Sequence, residues 1–468
     1  MGLYGTLNLG TRALQAHSQG LAVAGQNLAN VNNPAYTRQR LLVQTSATLP
    51  TAIGPQGTGV SAVAIQRIHD SLLDRQIQGE TSVSGFWSAQ QKALLSAQTN
   101  LGEALNSSVA TSSAVGGQST LSVNLDELFT EFHTLSLSAG SLPQRGNVLS
   151  KAQNLAAQFN QTDRRLAEVN DNLNESVTAG VGQATELLQS VARLNEQIRR
   201  AESGGNGSAN DLRDLRQQKL ETLAGLTNVE TAEDPDGQVN VSIGGNLLVS
   251  GQQVLASLET YDAGGGQQLV RTSTGTALTL TGGSIQGTID ARDGALATLR
   301  SGLDTLANTL ATEVNTIHRA GFNPTGGTGA DFFTGTGAAT FGVNAALVDH
   351  PELIQASGSA TAPGDNQTVL ALASLANKSL TAMGGQTFSA SYTRTVTSLG
   401  ESLATANGNV EDQQLVADML QRQRSSVSGV SIDEEMTDLV KYQKAFQASA
   451  RIISTVDELL NEVINMKR

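Results

Sequence analysis

Residues 7–28 are LNLGTRALQAHSQGLAVAGQNL, and a leucine stands at every seventh position of this stretch. Residues 432–460, IDEEMTDLVKYQKAFQASARIISTVDELL, carry large apolar side chains with the same spacing. The two series consist of Leu7, Leu14, Leu21, Leu28, Ile432, Leu439, Phe446, Ile453 and Leu460. A period of seven is typical of a helix whose apolar row is buried against another helix, because about 3.5 residues per turn keep that row facing its partner.

The two apolar rows bracket the chain, and three environments would bury them. They could pair with each other, pack on a neighbouring molecule, or cover the core of their own domain, as ordinary amphipathic helices do. Repetition at both ends favours the first two environments. We therefore predict that the nine residues form an assembly interface, which favours a structural protein over an enzyme.

The composition limits the class of protein. The chain has 468 residues, enough for two to four domains, and its 3% of aromatic residues suits slender helical units better than one large core. A net charge of −13 argues against a nucleic acid or an anionic membrane as partner. The absence of cysteine excludes disulfides and thiolate sites. The first residues, MGLYGTLNLG, lack the pattern of a cleavable signal peptide, which leaves the cytoplasm or export through an uncleaved terminus.

The sequence predicts a mainly α fold with long terminal coiled-coil helices, a helical bundle domain and a small inserted β-rich domain. Residues 1–40 with 428–468 would form the terminal domain, and residues 41–227 with 285–427 an elongated helical domain. Residues 228–284 would form the inserted outer domain, because short β-branched runs alternate there with turn residues.

Local patterns give finer expectations for single elements. The longest helix should cover 142–200, with a possible interruption at Gly180 and Gly182, and a Ser/Thr/Gly-rich connection should occupy 107–119. Ser431 and Glu434 should form a capping box at the start of the last helix. The strongest internal coiled-coil pattern consists of Leu296, Leu299, Leu303, Leu306, Leu310 and Ile317.

No constellation of residues predicts chemistry. None of the five histidines has the spacing of a zinc-protease helix, so we expect no metal site, no cofactor and no catalytic residue. Carboxylate pairs such as Glu434-Glu435 flank apolar rows and are better explained as solvated faces. A hydrolase within the β-rich segment stays open as an alternative, although no cluster of His, Asp and Glu supports it.

Two motifs resemble the axial proteins of the bacterial flagellum. Residues 27–39, NLANVNNPAYTRQ, are similar to the family's N-terminal motif, with Ala35 where the family usually has glycine. Residues 429–451, GVSIDEEMTDLVKYQKAFQASAR, are similar to its C-terminal motif. The motif positions carried over are Asn27, Asn30, Pro34, Tyr36, Arg38, Asp433, Glu434 and Tyr442.

The interior resembles the hook-associated protein 1 family within this group. Similar segments lie at 211–220, 290–294 and 314–321, so the resemblance covers nearly the whole chain. Many members of that family carry an additional outer domain between the positions of Phe333 and Pro363, where this chain has only about thirty residues.

The resemblance implies a structural subunit of the hook–filament junction, exported by the flagellar type III system and located extracellularly in the flagellum. Its implied partners are further copies of itself in a helical ring, the hook protein, the next hook-associated protein, and an export chaperone that binds the C-terminal helix. Its terminal helices would line the inner tube. The alternatives are another axial protein, such as hook-associated protein 3 or a hook-type subunit, and a cytoplasmic coiled-coil adaptor.

Overall fold

The computed structural model describes residues 2–51, 54–102, 120–204, 207–362 and 364–466. The helices are α1 (Leu3–Ala29), α2 (Ser71–Leu101), α3 (Leu121–Leu137), α4 (Leu142–Glu202), α5 (Asn210–Leu226), α6 (Gly283–Ala291), α7 (Ala297–Ala320), α8 (Ala345–Val348), α9 (Gln367–Ser374), α10 (Phe388–Ser428) and α11 (Ile432–Asn465). The strands are β1 (Gln39–Thr45), β2 (Leu49–Thr51), β3 (Gly54–Gln56), β4 (Val60–Arg67), β5 (Val229–Glu233), β6 (Val239–Ile243), β7 (Asn246–Ser250), β8 (Gln253–Val254), β9 (Leu258–Asp262), β10 (Gln268–Thr272), β11 (Phe333–Thr334) and β12 (Gly342–Val343). The mainly α fold predicted from the sequence is confirmed.

The first and last helices, α1 and α11, pack against each other in antiparallel orientation. Gly10 near the start of α1 lies against Ile453 in the second half of α11, whereas Gly20 lies against Tyr442 in its first half. The chain leaves α1 through a turn at residues 30–36 and enters β1, which pairs antiparallel with β4. The N-terminal motif therefore connects the terminal helix pair to the rest of the molecule.

The part of the molecule between the terminal helices, from α2 to α10, is called the body here. A first hydrophobic core holds its helices together. It is built from α2, α3, α4, α7, α9 and α10, and the internal leucine repeat lies at its centre: Leu296, Leu299, Leu303, Leu306 and Leu310 are buried, and Ile317 packs on the edge. The few aromatic side chains are concentrated here, in the ring contacts of Phe132, Phe159, Phe332, Phe333 and Phe341. The internal coiled-coil pattern thus marks the core, as expected from a period of seven.

A second hydrophobic core joins the β-rich segment to the helices. Strands β5, β6, β7 and β8 form an antiparallel sheet in that order, and β9 pairs with β10. Buried residues of β6, such as Val241 and Ile243, share this core with Val181 and Leu188 of α4. The strands are thereby fixed on the second half of α4.

Two local expectations are wrong. Helix α4 runs without a break past Gly180 and Gly182, and Gly180 lies where an added Cβ would be 3.0 Å from Ile285 Cγ1, so its small size permits close packing with α6. Ser431 makes no side-chain cap at the start of α11, and Glu434 binds Arg38 instead of forming a capping box. The connection expected at 107–119 lies outside the described residues.

Candidate assembly site

The seam between α1 and α11 is formed by small residues. The buried positions of α1 are Gly10, Ala16, Gly20, Val23, Ala24 and Asn27. A Cβ at position 20 would lie 2.5 Å from Tyr442 Cε1, so the tyrosine ring occupies space that only glycine leaves free. Close approach of two helices through small residues explains why the seam does not need leucine at its centre.

Of the nine residues of the apolar rows, Ile453 packs against Gly10 in this seam. Leu7, Leu14, Leu21 and Leu28 on α1 are half-buried, as are Leu439, Phe446, Ile453 and Leu460 on α11, and Ile432 is exposed. The buried row of α11 contains Glu435, Ser449 and Val456. The helix pair therefore covers its apolar rows only in part, and each row keeps a side open to another molecule.

A cluster of hydrogen bonds, called the joint here, connects the N-terminal motif with the start of α11 and with α5. Asn27 lies at its centre. Its Nδ2 donates to the Gln39 carbonyl at 2.9 Å and to Glu435 Oε2 at 3.0 Å. Its Oδ1 accepts from the Tyr36 hydroxyl at 2.8 Å and from the Gln39 N–H at 3.0 Å. The side chain is 1% exposed and uses all its hydrogen-bonding capacity. A buried amide satisfied in this way fixes α1, β1 and α11 in one arrangement.

Arg38 connects the two family motifs by charge. Its Nε donates to Glu435 Oε1 at 2.7 Å, and its Nη1 donates to Glu434 Oε2 at 2.6 Å. Burial alone would lower the pKa of Arg38, but the bonds to Glu434 and Glu435 outweigh it and raise that pKa. The Arg38 N–H also donates to the Ser428 carbonyl at the end of α10. The motif thus binds both helices that precede and follow residue 429.

The start of α5 supplies the third part of the joint. Asp214 Oδ2 accepts from the Thr37 N–H at 2.9 Å, and its Oδ1 binds Arg67 Nη1 at 3.1 Å. Asp211 Oδ1 accepts from Gln39 Nε2 at 3.0 Å. Both carboxylates lie at the first turns of a helix, where the dipole favours negative charge. Helix α5 therefore fixes the N-terminal motif to the body.

The joint is electrostatically unusual around Tyr36. Burial raises the pKa of the Tyr36 phenol well above its usual range, and the charges of Asp211, Asp214 and Glu435 raise it further. The phenol consequently stays protonated and remains a hydrogen-bond donor to Asn27 at any physiological pH.

The structure brings together some of the predicted motif residues and leaves others apart. Asn27, Tyr36, Arg38 and Glu434 meet in the joint, and Tyr442 packs in the seam above it. The Asn30 side chain donates to the Gln26 carbonyl at the end of α1 and takes no part in the bonds described above, and Pro34 lies in the following turn. Asp433 is exposed in the first turn of α11.

Several residues of the joint were not predicted. Glu435 was expected on a solvated face, but it is 2% exposed and accepts hydrogen bonds from Asn27 and Arg38. Asp214 on α5 accepts from the Thr37 N–H, and Gly20 shapes the seam. The spacing of seven from Glu435 to Tyr442, Ser449 and Val456 was a usable signal, because a seam has two rows. This row contains both polar and apolar residues, so a search for apolar residues alone does not find it.

Other kinds of site lack support within the described ranges. No three His, Asp or Glu side chains there are grouped so that they could hold a metal ion. None of the helices described is both long enough and apolar enough to cross a membrane.

Comparison with known proteins supports a flagellar assignment. Residues 107–333 match the family described as the flagellar hook-associated protein FlgK helical domain. Residues 421–466 match the family described as the flagellar basal body rod FlgEFG protein C-terminal region. The second match covers α11, which forms one half of the seam.

Relatives match over nearly their whole length. Flagellar hook-associated protein 1 of Bacillus subtilis is 27% identical over 511 residues, which cover 98% of this chain and 97% of that protein. The protein of the same name from Escherichia coli is 25% identical over 559 residues, which cover 98% and 99%. Both alignments are longer than the chain, so the relatives contain segments that it lacks.

A solved structure has the same fold. The flagellar hook junction protein FlgK from Burkholderia pseudomallei superposes with a TM-score of 0.66 at 15% identity, over 75% of this chain and 100% of that one. At this identity the likeness concerns the fold alone.

Proposed function

Because the chain belongs to the flagellar hook-associated protein 1 family, whose members are structural proteins and not enzymes, we propose that it is a subunit of the hook–filament junction of a bacterial flagellum. The protein is a component of the flagellum that assembles with other hook and filament components. We propose further that it is exported through the flagellar type III route and acts outside the cell.

The half-covered terminal pair carries this proposal. Apolar side chains remain exposed along α11, at Ile432, Met436, Val440, Ile452, Leu459 and Val463. Each large apolar side chain that becomes buried contributes about 1.5–3 kcal/mol. Neighbouring subunits that cover these residues and the open side of the leucine row would therefore stabilise a ring through the terminal helices.

The joint around Asn27 has a clear role in such an assembly. A subunit in a helical ring must hold its terminal helices at one angle to its body, because every neighbour repeats the same contact. The bonds of Asn27, Arg38 and Asp214 connect the helix pair to β1, α5 and α10. The terminal domain of residues 1–40 and 428–468 would thus be oriented before assembly, with the remaining two domains outside it.

The partners follow from the same placement. We propose that the subunit contacts other copies of itself, the hook protein on one side and the next hook-associated protein on the other. The exposed apolar side chains of α11 would also give an export chaperone a surface to bind before secretion.

A sibling axial protein is the second candidate. Hook-associated protein 3 or a hook-type subunit would share the terminal motifs, and residues 421–466, which contain the C-terminal one, match a family of rod proteins. The relatives that match over 97–99% of their length are named hook-associated protein 1, and this favours the junction.

The test is deletion of the gene followed by complementation. Deletion should leave hooks without filaments and release filament protein into the medium. The wild-type gene should restore filaments, whereas Leu439→Asp and Ile453→Asp should not, because each places a charge in an interface that excludes water. Gln443→Asp, at an exposed position of α11 that is already polar, is the matched control.

Normal filaments in the deletion strain would contradict the junction role. Normal filaments with secreted Leu439→Asp would contradict assembly through the terminal helices but leave the location intact. Loss of the hooks themselves would favour a hook-type subunit.

A further inference from the structure

A polar cavity of about 220 Å³ lies beside the joint. It is open to solvent on one side and is lined by the end of β4, the first turns of α2, the middle of α5, and strands β5 and β6. The arginine and carboxylate side chains that line it are Arg67, Asp74, Arg75, Arg213, Arg216 and Glu233. Four guanidinium groups thus reach one cavity in a chain whose net charge is −13.

Arg216 is the most buried of the four arginines, with 3% exposure. Its Nη1 donates to Asn195 Oδ1 and to the Gly237 carbonyl, both at 2.8 Å, and both acceptors are neutral. The nearest carboxylate oxygen, Glu233 Oε1, lies 3.5 Å from Nη2. Burial lowers the pKa of this guanidinium to about 10, as expected for a charge that its surroundings compensate incompletely.

The other arginines divide into two kinds. Arg67 binds Asp214 and Arg213 binds Glu202, and neither carboxylate is among the residues that line the cavity. Arg75 is exposed at the cavity and, within the described part of the chain, has no carboxylate at ion-pair distance. Glu233 must serve Arg213, at 2.8 Å, as well as Arg216. Donors on Arg75 and Arg216 therefore remain available to a ligand.

Two carboxylates, Asp74 and Glu233, line the same cavity and would oppose an anion. Glu233 is partly neutralised by its two arginines. Burial raises the pKa of Asp74 to about 6, so near that pH a large fraction of this carboxyl is protonated and can donate a hydrogen bond.

We propose that this cavity binds a small oxyanion, of the phosphate, sulfate or carboxylate class, between Arg75 and Arg216. Planar guanidinium groups match the oxygens of such anions and form strong charge-assisted bonds with them. The anion would connect α2 to α5 beside the joint that orients the terminal helices. This inference is independent of the flagellar role.

Calorimetric titration of the full chain near pH 6 tests the proposal. Inorganic phosphate, sulfate and malonate are added separately, up to about 10 mM, at ionic strength held constant with chloride, so that general salt effects on the protein stay small. Saturable binding of phosphate and sulfate identifies an inorganic oxyanion, and binding of malonate alone identifies a carboxylate ligand.

Two variants with opposite charge effects make the test specific. Arg75→Gln should weaken binding roughly tenfold, because it removes one charge-assisted contact. Glu233→Gln should tighten binding, because it removes an opposing charge and frees its arginines. Arg394→Gln, an exposed arginine on α10 outside the cavity, is the matched control and should change nothing.

Absence of saturable binding to the wild-type chain would overturn the proposal. So would equal affinities for wild type, Arg75→Gln and Arg394→Gln. Circular dichroism of each variant establishes that it is folded, and if Glu233→Gln is not, the comparison of the two arginine variants decides.

Discussion

Asn27 and Glu435 are 408 positions apart in the chain, yet the Asn27 amide donates to Glu435 Oε2 at 3.0 Å inside the joint. Both side chains are almost fully buried, at 1% and 2% exposure. The contact forms only when the two ends of the chain have folded together. It therefore reports on the docking of the terminal helices more directly than any contact within the body.

Asn27→Asp should loosen the terminal pair without unfolding the body. The new carboxylate would face Glu435 and could no longer donate, and such a buried, unpaired charge costs about 2–4 kcal/mol. Hydrogen exchange should show faster exchange in α1 and α11 with unchanged protection in α4. Asn30→Asp is the control, because the Asn30 Nδ2 donates to the Gln26 carbonyl at an exposed site. Equal protection of α1 in both variants would contradict the role assigned to Asn27.

Gly20→Ala should destabilise the terminal pair. The added methyl would lie 2.5–2.7 Å from three ring atoms of Tyr442, and overpacking of this kind costs roughly 1–3 kcal/mol. Gly25→Ala, which meets no atom within 4 Å, should instead stabilise α1 by about 0.5–1 kcal/mol through helix propensity. Thermal unfolding followed by circular dichroism measures both.

The double variant Gly20→Ala/Tyr442→Leu separates packing from other effects. A leucine lacks the ring atoms that the methyl would meet, so the cost of the first change should shrink in the second background. If the cost stays the same, the glycine is not required by Tyr442.

The prediction from sequence succeeded where burial follows a local period. Leu296, Leu303 and Leu310 repeat every seven residues, and all three are in the core. The prediction was less complete at the ends, because the seam centre is formed by Gly20 and Ala16, which no apolar pattern identifies. Leu21 and Leu28 of the leucine row directly follow the buried seam residues Gly20 and Asn27 and lie beside the seam.

Features that depend on distant packing escaped the sequence. Gly180 and Gly182 lower helix propensity, but α4 continues through them, where Gly180 packs close to Ile285 and neighbouring residues of α4 belong to the second core. The partner of Glu434 is Arg38, 396 positions away, so a local capping rule could not find it. The motif resemblance located this region, but only the structure showed that Glu435 and Asp214 complete it.

His318 should make the body less stable in acid. Burial lowers its pKa to about 4, and the neutral ring donates from Nδ1 to the Ala330 carbonyl and accepts at Nε2 from the Gln355 N–H at 3.0 Å. The unfolded chain binds a proton near pH 6.5 and the folded chain only near 4, so stability falls as pH drops through this window, by about 3 kcal/mol. Urea unfolding at several pH values measures the slope.

The variant His318→Gln should remove most of this slope. Its stability near pH 7 should be lower, since Gln cannot reproduce both ring bonds, but it should change less between pH 6.5 and 4. His350→Gln, at an exposed histidine, should keep the wild-type slope. An unchanged slope in His318→Gln would assign the acid sensitivity to other groups.

Asp74 should have the opposite pH effect. Burial raises its folded pKa to about 6, against the lowering effect of Arg424 and Arg67. The neutral form is therefore favoured in the folded state, and stability is lost as pH rises from the unfolded value near 4 through 6. Asp74→Asn should stabilise the protein at pH 7.5 by about 1 kcal/mol. The gain is this small because solvent screens the partly exposed carboxylate, and because the substitution removes a negative charge that is favourable in the first turn of α2. Asp126→Asn, at an exposed position of α3, should not.

Limited proteolysis should distinguish the terminal pair from the body. In the isolated chain α1 and α11 pack mainly on each other and expose Lys441, Lys444 and Arg451 to trypsin, whereas arginines of the body such as Arg145 and Arg292 are 1% exposed. Helices with so little buried surface unfold locally more readily than the helices that form the two hydrophobic cores of the body. Trypsin should therefore remove both ends first and leave a resistant fragment of about residues 60–410. Mass spectrometry would identify it, and Asn27→Asp should shorten the lifetime of the ends while the fragment persists. Cleavage of ends and body at the same rate in a proven monomer would mean that the terminal pair is as stable as the cores, and burial by neighbouring subunits would then not be needed to order it.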